Sequence, residues 1–318
     1  MALKHIAIVG ATGHIAKGLV ANFYKKRHLY KISLFARSVE RINDFCESEN
    51  IDIDQNDILE LNKLKNCNQH FDALVNCIGV GTPAKVKSVS SDILELTEKY
   101  DNHCLNYLLE NPTSLYINMS SGVVYGKNFS NPATNVASFL INVNEISLGD
   151  YYALAKVYSE AKHRARTDLN IVDLRIFSYF SRFIDRNAGY LITEILNALD
   201  EKTVFRTTPE NIVRDYVHPD DLFFLIEGCI KKGKINDFFD VYSAAPLSKF
   251  ALLDHLTKTL GLVYEVDQEA AFINATGIKS FYYSQNKKAE MIFDYKPRYN
   301  SLETIEMEIR TFFEKTSA

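Results

Sequence analysis

The sequence predicts an α/β fold in which a doubly wound parallel sheet is followed by a smaller, mixed C-terminal part. Apolar runs of strand length alternate with longer helical patterns as far as Phe177. This alternation is typical of parallel strands that are joined by helical crossovers on both faces of a sheet. Beyond Phe177 the segments become mixed and rich in aromatic residues, which marks the second part.

The predicted elements follow in a regular order. Strands are predicted at residues 4–9, 31–35, 51–54, 72–78, 114–119 and 170–177. Helices are predicted at residues 14–27, 39–47, 92–109 and 151–167, and in the C-terminal part at 191–199, 219–231, 249–260 and 301–315. Ligands of open parallel sheets bind outside the carboxyl ends of the strands. The residues that follow each strand are therefore the candidates for function.

Composition limits the classes of partner and site. The chain has 318 residues, enough for one large domain or two modest ones. A net charge of −4 gives no reason to expect nucleic acid or a membrane surface as partner. No apolar run approaches the ~20 residues of a membrane span, and the N-terminus enters a strand at once, so no signal peptide is expected. Five scattered cysteines without metal-ligand spacing favour a cytoplasmic protein with no metal site.

A glycine-rich turn follows the first strand and gives the first functional signal. Gly10 and Gly13 allow a sharp turn and a close approach to a pyrophosphate, and Ala16 lets the next helix pack on the strand. That helix is amphipathic and leads to a second strand, which is the context that a Rossmann-type dinucleotide site requires. An ordinary strand–helix turn is the alternative. We expect cofactor contacts from the turn and from the end of the fourth strand, at Gly10, Thr12, Gly13, His14, Ile15, Cys77, Ile78 and Gly79, with Val80 and Gly81 beside them.

A Tyr-x-x-x-Lys pattern, which suits proton transfer, occurs at Tyr152/Lys156, Tyr158/Lys162 and Tyr283/Lys287. Residues four apart share one face of a helix, and a lysine ammonium beside a phenol favours its ionised form. Position favours Tyr152, because its helix directly follows the strand that ends at Ser120-Ser121. Tyr158 lies nearly two turns further along that helix, and Tyr283 lies outside the nucleotide fold.

In this order the motifs resemble those of the extended short-chain dehydrogenase/reductase family, especially its nucleotide-sugar epimerases, dehydratases and reductases. The resemblance covers nearly the whole chain. Besides the glycine turn and Tyr152/Lys156, it rests on Asp57-Ile58, Asp72, Asn102, Ser120-Ser121-x-x-x-Tyr125-Gly126, Glu160, Leu174-Arg175-Ile176-Phe177 and the segments 214–222 and 295–303.

The resemblance implies an NAD(P)-dependent enzyme with a dinucleotide-binding domain over residues 1–177. Residues 178–318 would be mainly substrate-binding, with the chain able to cross back to the sheet. The resemblance implies a catalytic role for Ser121, Tyr152 and Lys156. It implies that Asp57, Ile58 and Asn102 bind the cofactor, together with Tyr152 and Lys156. It implies that Ser121, Ser178 and Arg214 bind the substrate. A structural ion pair with Asp215 is the alternative role for Arg214.

Two departures from the family pattern concern the substrate. The family often has asparagine where this chain has Ser178, and Gly-Pro where it has Phe180-Ser181. Family dehydratases carry an Asp-Glu or Asp-Lys pair at the positions of Gly122 and Val123. Neither glycine nor valine can act as acid or base. A 4,6-dehydratase is therefore not expected.

The second strand is followed by an arginine instead of a carboxylate. Arg37 can pair with a 2′-phosphate and Ser38 lies beside it, whereas the first carboxylate is Glu40. NADP(H) is therefore favoured, with NAD(H) as the alternative. This cofactor favours reduction of a keto group on a nucleotide-linked sugar, 4-keto-6-deoxy in type. An epimerase is the first alternative and a non-catalytic dinucleotide-binding protein the second.

Assembly is predicted mainly from the resemblance. Family members often dimerise through the helices that correspond to residues 92–109 and 151–167. The second of these helices has one apolar stripe, at Leu154, Val157, Ala161 and Ala165. One stripe is enough to pack the helix on its own sheet, so the expected homodimer depends on a further apolar face.

Overall fold

The computed structural model describes residues 3–79, 92–268 and 279–316. Its strands are β1 (Lys4–Val9), β2 (Tyr30–Ala36), β3 (Ile58–Glu60), β4 (Ala73–Asn76), β5 (Leu115–Ser121), β6 (Ile171–Ile176), β7 (Ser178–Tyr179), β8 (Phe205–Thr207), β9 (Val213–Arg214), β10 (Tyr216–Val217), β11 (Asn236–Val241), β12 (Leu247–Ser248), β13 (Tyr264–Val266) and β14 (Phe281–Tyr282). Its α-helices are α1 (His14–Lys25), α2 (Val39–Ser48), α3 (Asp92–Glu110), α4 (Leu148–Arg164), α5 (Leu191–Glu201), α6 (Pro219–Lys232), α7 (Lys249–Leu260), α8 (Lys288–Phe293) and α9 (Ser301–Thr316).

A parallel sheet of seven strands forms the centre, in the order β11-β6-β5-β4-β1-β2-β3. Apolar side chains from α1, α2 and α6 pack on one face, and those of α3 pack on the other. The predicted doubly wound α/β fold is confirmed. The strand order reverses beside β1, so the segments after β1 and β4 open a crevice at the carboxyl edge.

Two strands of the central sheet differ from the sequence prediction. The predicted strand at residues 51–54 is wrong, because Asp54 caps a short 3₁₀ turn by accepting the N–H of Asn56 at 2.9 Å. The third strand begins at Ile58, which pairs with Leu34. The chain also returns to the sheet at β11, which sequence reasoning missed because Asp237 and Asp240 interrupt its apolar pattern.

Helix α4 begins three residues earlier than predicted, because Asp150 accepts the backbone N–H of Ser147 at 2.8 Å and caps it. Its inward face is polar. The ring of His163 is fully buried between Asp101 of α3 and Asp173 of β6, at 2.8 and 2.9 Å. Burial lowers the pKa of His163, but the charges and hydrogen bonds of both carboxylates outweigh it and raise that pKa to about 9. The imidazolium therefore links α3, α4 and the sheet.

Among the helices in the described ranges, none is long and apolar enough to cross a membrane.

Candidate active site

The glycine-rich turn has a conformation that requires glycine. Gly10 has φ +82°, and a Cβ built there would lie 2.8 Å from the Cγ1 of Ile78. The N–H groups of Gly10 and Ala11 both donate to the carbonyl of Phe35, at 2.8 and 3.0 Å. The turn therefore lies tightly against the ends of β2 and β4, as a close approach to a ligand demands.

The start of α1 is open to an anion. Gly13 is the N-cap and supplies no side-chain cap, and the first turn carries no acidic residue. Within the described ranges, the N–H groups of Thr12, His14 and Ile15 have no hydrogen-bond acceptor. Unpaired N–H groups at a helix N-terminus bind phosphate, so the turn fits the pyrophosphate of a dinucleotide.

The side chain of His14 points away from this opening. Its ring packs edge-on against Tyr179, with centroids 5.0 Å apart. Burial is the main cause that lowers the pKa of His14 to about 4, so the imidazole is neutral near pH 7. His14 can contribute its backbone N–H to a cofactor, while its ring belongs to the packing of α1 on β7.

Three other predicted cofactor residues lie in different surroundings. Cys77 follows β4 and lies near the ammonium of Lys156. Burial raises the pKa of the Cys77 thiol to about 12, although the positive charge of Lys156 partly opposes this shift. Asp57 is buried, accepting from Ser33 at 2.8 Å and pairing with Lys31 at 2.9 Å. Asn102 accepts from Lys162 at 2.7 Å. The side chains of Asp57 and Asn102 are thus engaged within the protein. Ile78 and Gly79 follow Cys77, and the predicted Val80 and Gly81 fall outside the described residues.

The structure brings Ser121, Tyr152 and Lys156 to the carboxyl end of β5. Ser121 ends that strand, with its Oγ 3.4 Å from the hydroxyl of Tyr282. Lys156 is buried, and its Nζ donates to the carbonyl of Met119 at 2.7 Å. Tyr152 packs on the cluster that includes Tyr282. The other two pairs lie elsewhere: Tyr158 is exposed and bonded to Glu98, and Lys287 lies over Tyr242.

Two further tyrosines border this group, and sequence reasoning missed them. Burial raises the pKa of Tyr282, although the hydrogen bond with Ser121 partly opposes this shift. Burial likewise raises the pKa of Tyr190, with smaller effects from Tyr152 and Tyr282. Tyr152, Tyr190 and Tyr282 therefore lie close to one another, with the Tyr282 hydroxyl 3.4 Å from Ser121 Oγ. In the sequence, Tyr282 gave no signal because it stands in an aromatic run of the C-terminal part, far along the chain from Ser121.

A network of charged side chains lies beneath Ser121. Arg175 of β6 stands opposite Ser120 in the sheet and binds Glu160 of α4, with Nε 3.0 Å from both carboxylate oxygens. Glu160 also accepts from Ser120 Oγ at 2.6 Å. On its other side Arg175 donates to Tyr125, whose hydroxyl is 2.8 Å from Asp240. These bonds fix the end of β5 relative to α4, and so Ser121 relative to Tyr152.

The residues after β2 are placed at the surface. Arg37 is exposed, and no described residue accepts a hydrogen bond from its guanidinium. Ser38 is the N-cap of α2: its Oγ accepts the N–H of Arg41 and donates to Glu40 at 2.9 Å. Arg37 is therefore available to an anionic group, whereas the Ser38 hydroxyl is already engaged.

The predicted substrate residues lie near one another. Ser178 pairs with Tyr216 across β7 and β10, two residues from Arg214. No ion pair joins Arg214 to Asp215 within the described ranges. Asp215 instead accepts the N–H of Ser243 at 3.1 Å, while Arg214 donates to backbone carbonyls.

Phe177 fills the position where a dehydratase would need an acid. A Cβ built on Gly122 would lie 2.4 Å from the Phe177 ring, and Val123 is buried. An acidic side chain at residue 122 would therefore displace the ring.

The match to a family model defines the class of protein: an NAD(P)-dependent enzyme of the extended short-chain dehydrogenase/reductase type. A family model described as "NAD dependent epimerase/dehydratase family" matches residues 6–240, and the chain belongs to that family. Among curated protein sequences, none matches the chain.

Solved structures with the same fold span the full length. UDP-glucose 4-epimerase from Stenotrophomonas maltophila has a TM-score of 0.80 at 12% identity, covering 99% of each chain. UDP-glucose 4-epimerase from Thermotoga maritima has a TM-score of 0.78 at 15% identity, covering 99% of this chain and all of the other. dTDP-glucose 4,6-dehydratase from Bacillus anthracis has a TM-score of 0.74 at 14% identity, covering 98% and 97%. At these identities the likeness establishes the fold alone.

Proposed function

We propose that the protein reduces a keto group on a nucleoside-diphosphate-linked sugar of the 4-keto-6-deoxy type, with NADPH as reductant. The observation that carries the proposal is the grouping of Ser121, Tyr152 and buried Lys156 at the carboxyl end of β5. The structures with this fold include an epimerase with UDP-glucose and another with UDP-glucuronic acid and NAD, which supports a nucleotide-linked sugar as substrate.

The chain's own residues account for the proton and for charge stabilisation. When bound, the nicotinamide supplies the hydride. Ser121 would donate a hydrogen bond to the carbonyl oxygen, and Tyr152 would give a proton to the developing alkoxide. Lys156 keeps one N–H bond to Met119, which leaves two donors for the cofactor ribose.

The second candidate is an epimerase, because several solved structures with this fold are epimerases. An epimerase oxidises and re-reduces one carbon and must retain its cofactor, whereas a reductase exchanges it at each turnover. Mass spectrometry of the dinucleotide that co-purifies tests this difference. A second assay then measures NADPH oxidation with a set of nucleotide-linked 4-keto-6-deoxysugars. Tightly held NAD and no NADPH oxidation would favour the epimerase.

The cofactor preference is tested at Arg37. If its guanidinium pairs with a 2′-phosphate, Arg37→Ala should weaken NADPH binding by about 1.5–3 kcal/mol, the range for charge-assisted hydrogen bonds. NADH binding should barely change. Titration of both cofactors measures this, with Arg27→Ala, exposed at the end of α1, as control. A wild-type preference for NADH would contradict the proposal, and Glu40 would then be the candidate for the ribose diol.

We also propose that residues 1–177 bind the cofactor, that residues 178–318 mainly bind the substrate, and that the protein is cytoplasmic. The last proposal rests on its free cysteines.

A homodimer is proposed from the outer face of α4. The polar side chains of Lys156, Glu160 and His163 are buried. The apolar stripe faces outward: Leu154 and Val157 are half-buried, and Ala161 and Ala165 are exposed. Light scattering at tens of micromolar should give twice the chain mass of 36.3 kDa. A mass near 36.3 kDa would reject the dimer.

A further inference from the structure

One buried carboxylate is connected to both segments that contact the Ser121 hydroxyl. Asp240 lies near the end of β11 and is fully buried. Its Oδ2 accepts hydrogen bonds from two hydroxyls, that of Tyr125 at 2.8 Å and that of Ser284. These two residues lie far from Asp240 in the chain and far from each other, so the carboxylate joins segments that the sequence separates.

The Tyr125 bond fixes the short turn that follows Ser121. Residues Gly122–Tyr125 form a single 3₁₀ turn with Ser121 as its N-cap, and the Ser121 Oγ accepts the N–H of Val123 at 3.4 Å. Tyr125 ends that turn, and its hydroxyl donates to Asp240. The far end of the turn is therefore tied to β11, while its near end contacts the Ser121 hydroxyl.

The Ser284 bond fixes the segment that carries Tyr282. Ser284 is buried, and its Oγ accepts the N–H of Asn286 at 3.0 Å while it donates to Asp240. Tyr282 lies two residues earlier, with its hydroxyl 3.4 Å from Ser121 Oγ. The second group that contacts the Ser121 hydroxyl is therefore tied to the same carboxylate oxygen as the first.

We propose that Asp240 is a positioning residue for Ser121. It acts through Tyr125 on one side, and through Ser284 and the nearby Tyr282 on the other. The inference rests on the proposed function, in which the Ser121 hydroxyl donates to the substrate carbonyl. Such a donor stabilises the developing charge only if its direction is fixed, because a hydrogen bond weakens steeply when it is bent. Burial raises the pKa of Asp240, and the hydrogen bond from Ser284 is the largest of the effects that oppose this shift.

Two deletions of a single hydroxyl test the inference, Ser284→Ala and Tyr125→Phe. Each should lower kcat for NADPH oxidation by ~10-fold, because the Ser121 hydroxyl loses its fixed direction. The KM of the keto sugar and the Kd of NADPH should keep their wild-type values, since neither hydroxyl is proposed to bind a ligand. A general loss of structure would change all three quantities together.

Hydrogen exchange in the ligand-free protein gives a second readout, which does not depend on the reaction. Ser284→Ala should speed amide exchange in residues 281–286, and Tyr125→Phe should speed it in residues 122–126. The expected change is about 5-fold, the effect of losing one hydrogen bond. Wild-type exchange in both segments of both variants would show that Asp240 holds neither.

Tyr30→Phe is the matched control. Its hydroxyl donates to the buried carboxylate of Glu227 at 2.8 Å, at the start of β2 and so at the opposite edge of the sheet. The variant should lose a similar amount of thermal stability, with kcat and the exchange of both segments unchanged. Wild-type kcat in Ser284→Ala or in Tyr125→Phe, or a comparable fall in Tyr30→Phe, would overturn the inference. If the wild type oxidises no NADPH with these sugars, the proposed reaction fails, and the exchange rates alone decide whether Asp240 holds the two segments.

Discussion

Replacing Tyr152 by phenylalanine is expected to lower turnover by at least ~10²-fold, while cofactor and substrate still bind. The ring that packs on the cluster around Tyr282 stays, and only the hydroxyl is lost. Without it, α4 loses the phenol that is proposed to give a proton to the alkoxide. NADPH oxidation with a nucleotide-linked 4-keto-6-deoxysugar measures kcat, and titration measures binding.

Tyr158→Phe is the matched control on the same helix. Its hydroxyl bonds to Glu98 at 3.2 Å, and its side chain is 52% exposed. Turnover should therefore change little. Comparable losses in the two variants would remove Tyr152 from the role of proton donor. They would point instead to a general sensitivity of α4.

The order of elements could be predicted because it depends on local periodicity. The alternation up to Phe177 gave the parallel sheet, and the glycine turn gave its crevice. Strand β11 could not be predicted in this way, because its apolar pattern is interrupted by Asp237 and Asp240. Both carboxylates bind partners that lie far away in the sequence. Asp240 is buried because Tyr125 donates to it, and Lys288 pairs with Asp237.

Helical period alone also does not decide which face is buried. The apolar stripe at Leu154 and Val157 correctly indicated a helix, but the buried face of α4 carries Lys156, Glu160 and His163. These polar groups are buried because the sheet and α3 supply their partners, as Asp173 and Asp101 do for His163. For the same reason Tyr282 could not be linked to Ser121, since only the folded chain brings its hydroxyl to 3.4 Å from Ser121 Oγ.

Arg175→Met is expected to lower the free energy of unfolding by about 3–5 kcal/mol, the cost of removing one partner from a buried ion pair. Glu160 and Asp240 would remain buried, with exposures of 7% and 0%, and Glu160 would lose the guanidinium that lies 3.0 Å from both its oxygens. Methionine fills similar volume, so the cost is mainly electrostatic. Urea unfolding at pH 7 measures it.

Two further variants separate this network from ordinary surface charge. Arg166→Met removes an exposed pair with Asp168, at 3.4 Å, and should cost at most ~1 kcal/mol. The double variant Glu160→Leu/Arg175→Met should be more stable than Arg175→Met alone, because it leaves no uncompensated carboxylate at residue 160. Equal costs for Arg175→Met and Arg166→Met would mean that the buried pair does not stabilise the end of β5. Ser121 would then have to be positioned by Tyr282 and by backbone pairing with β6 instead.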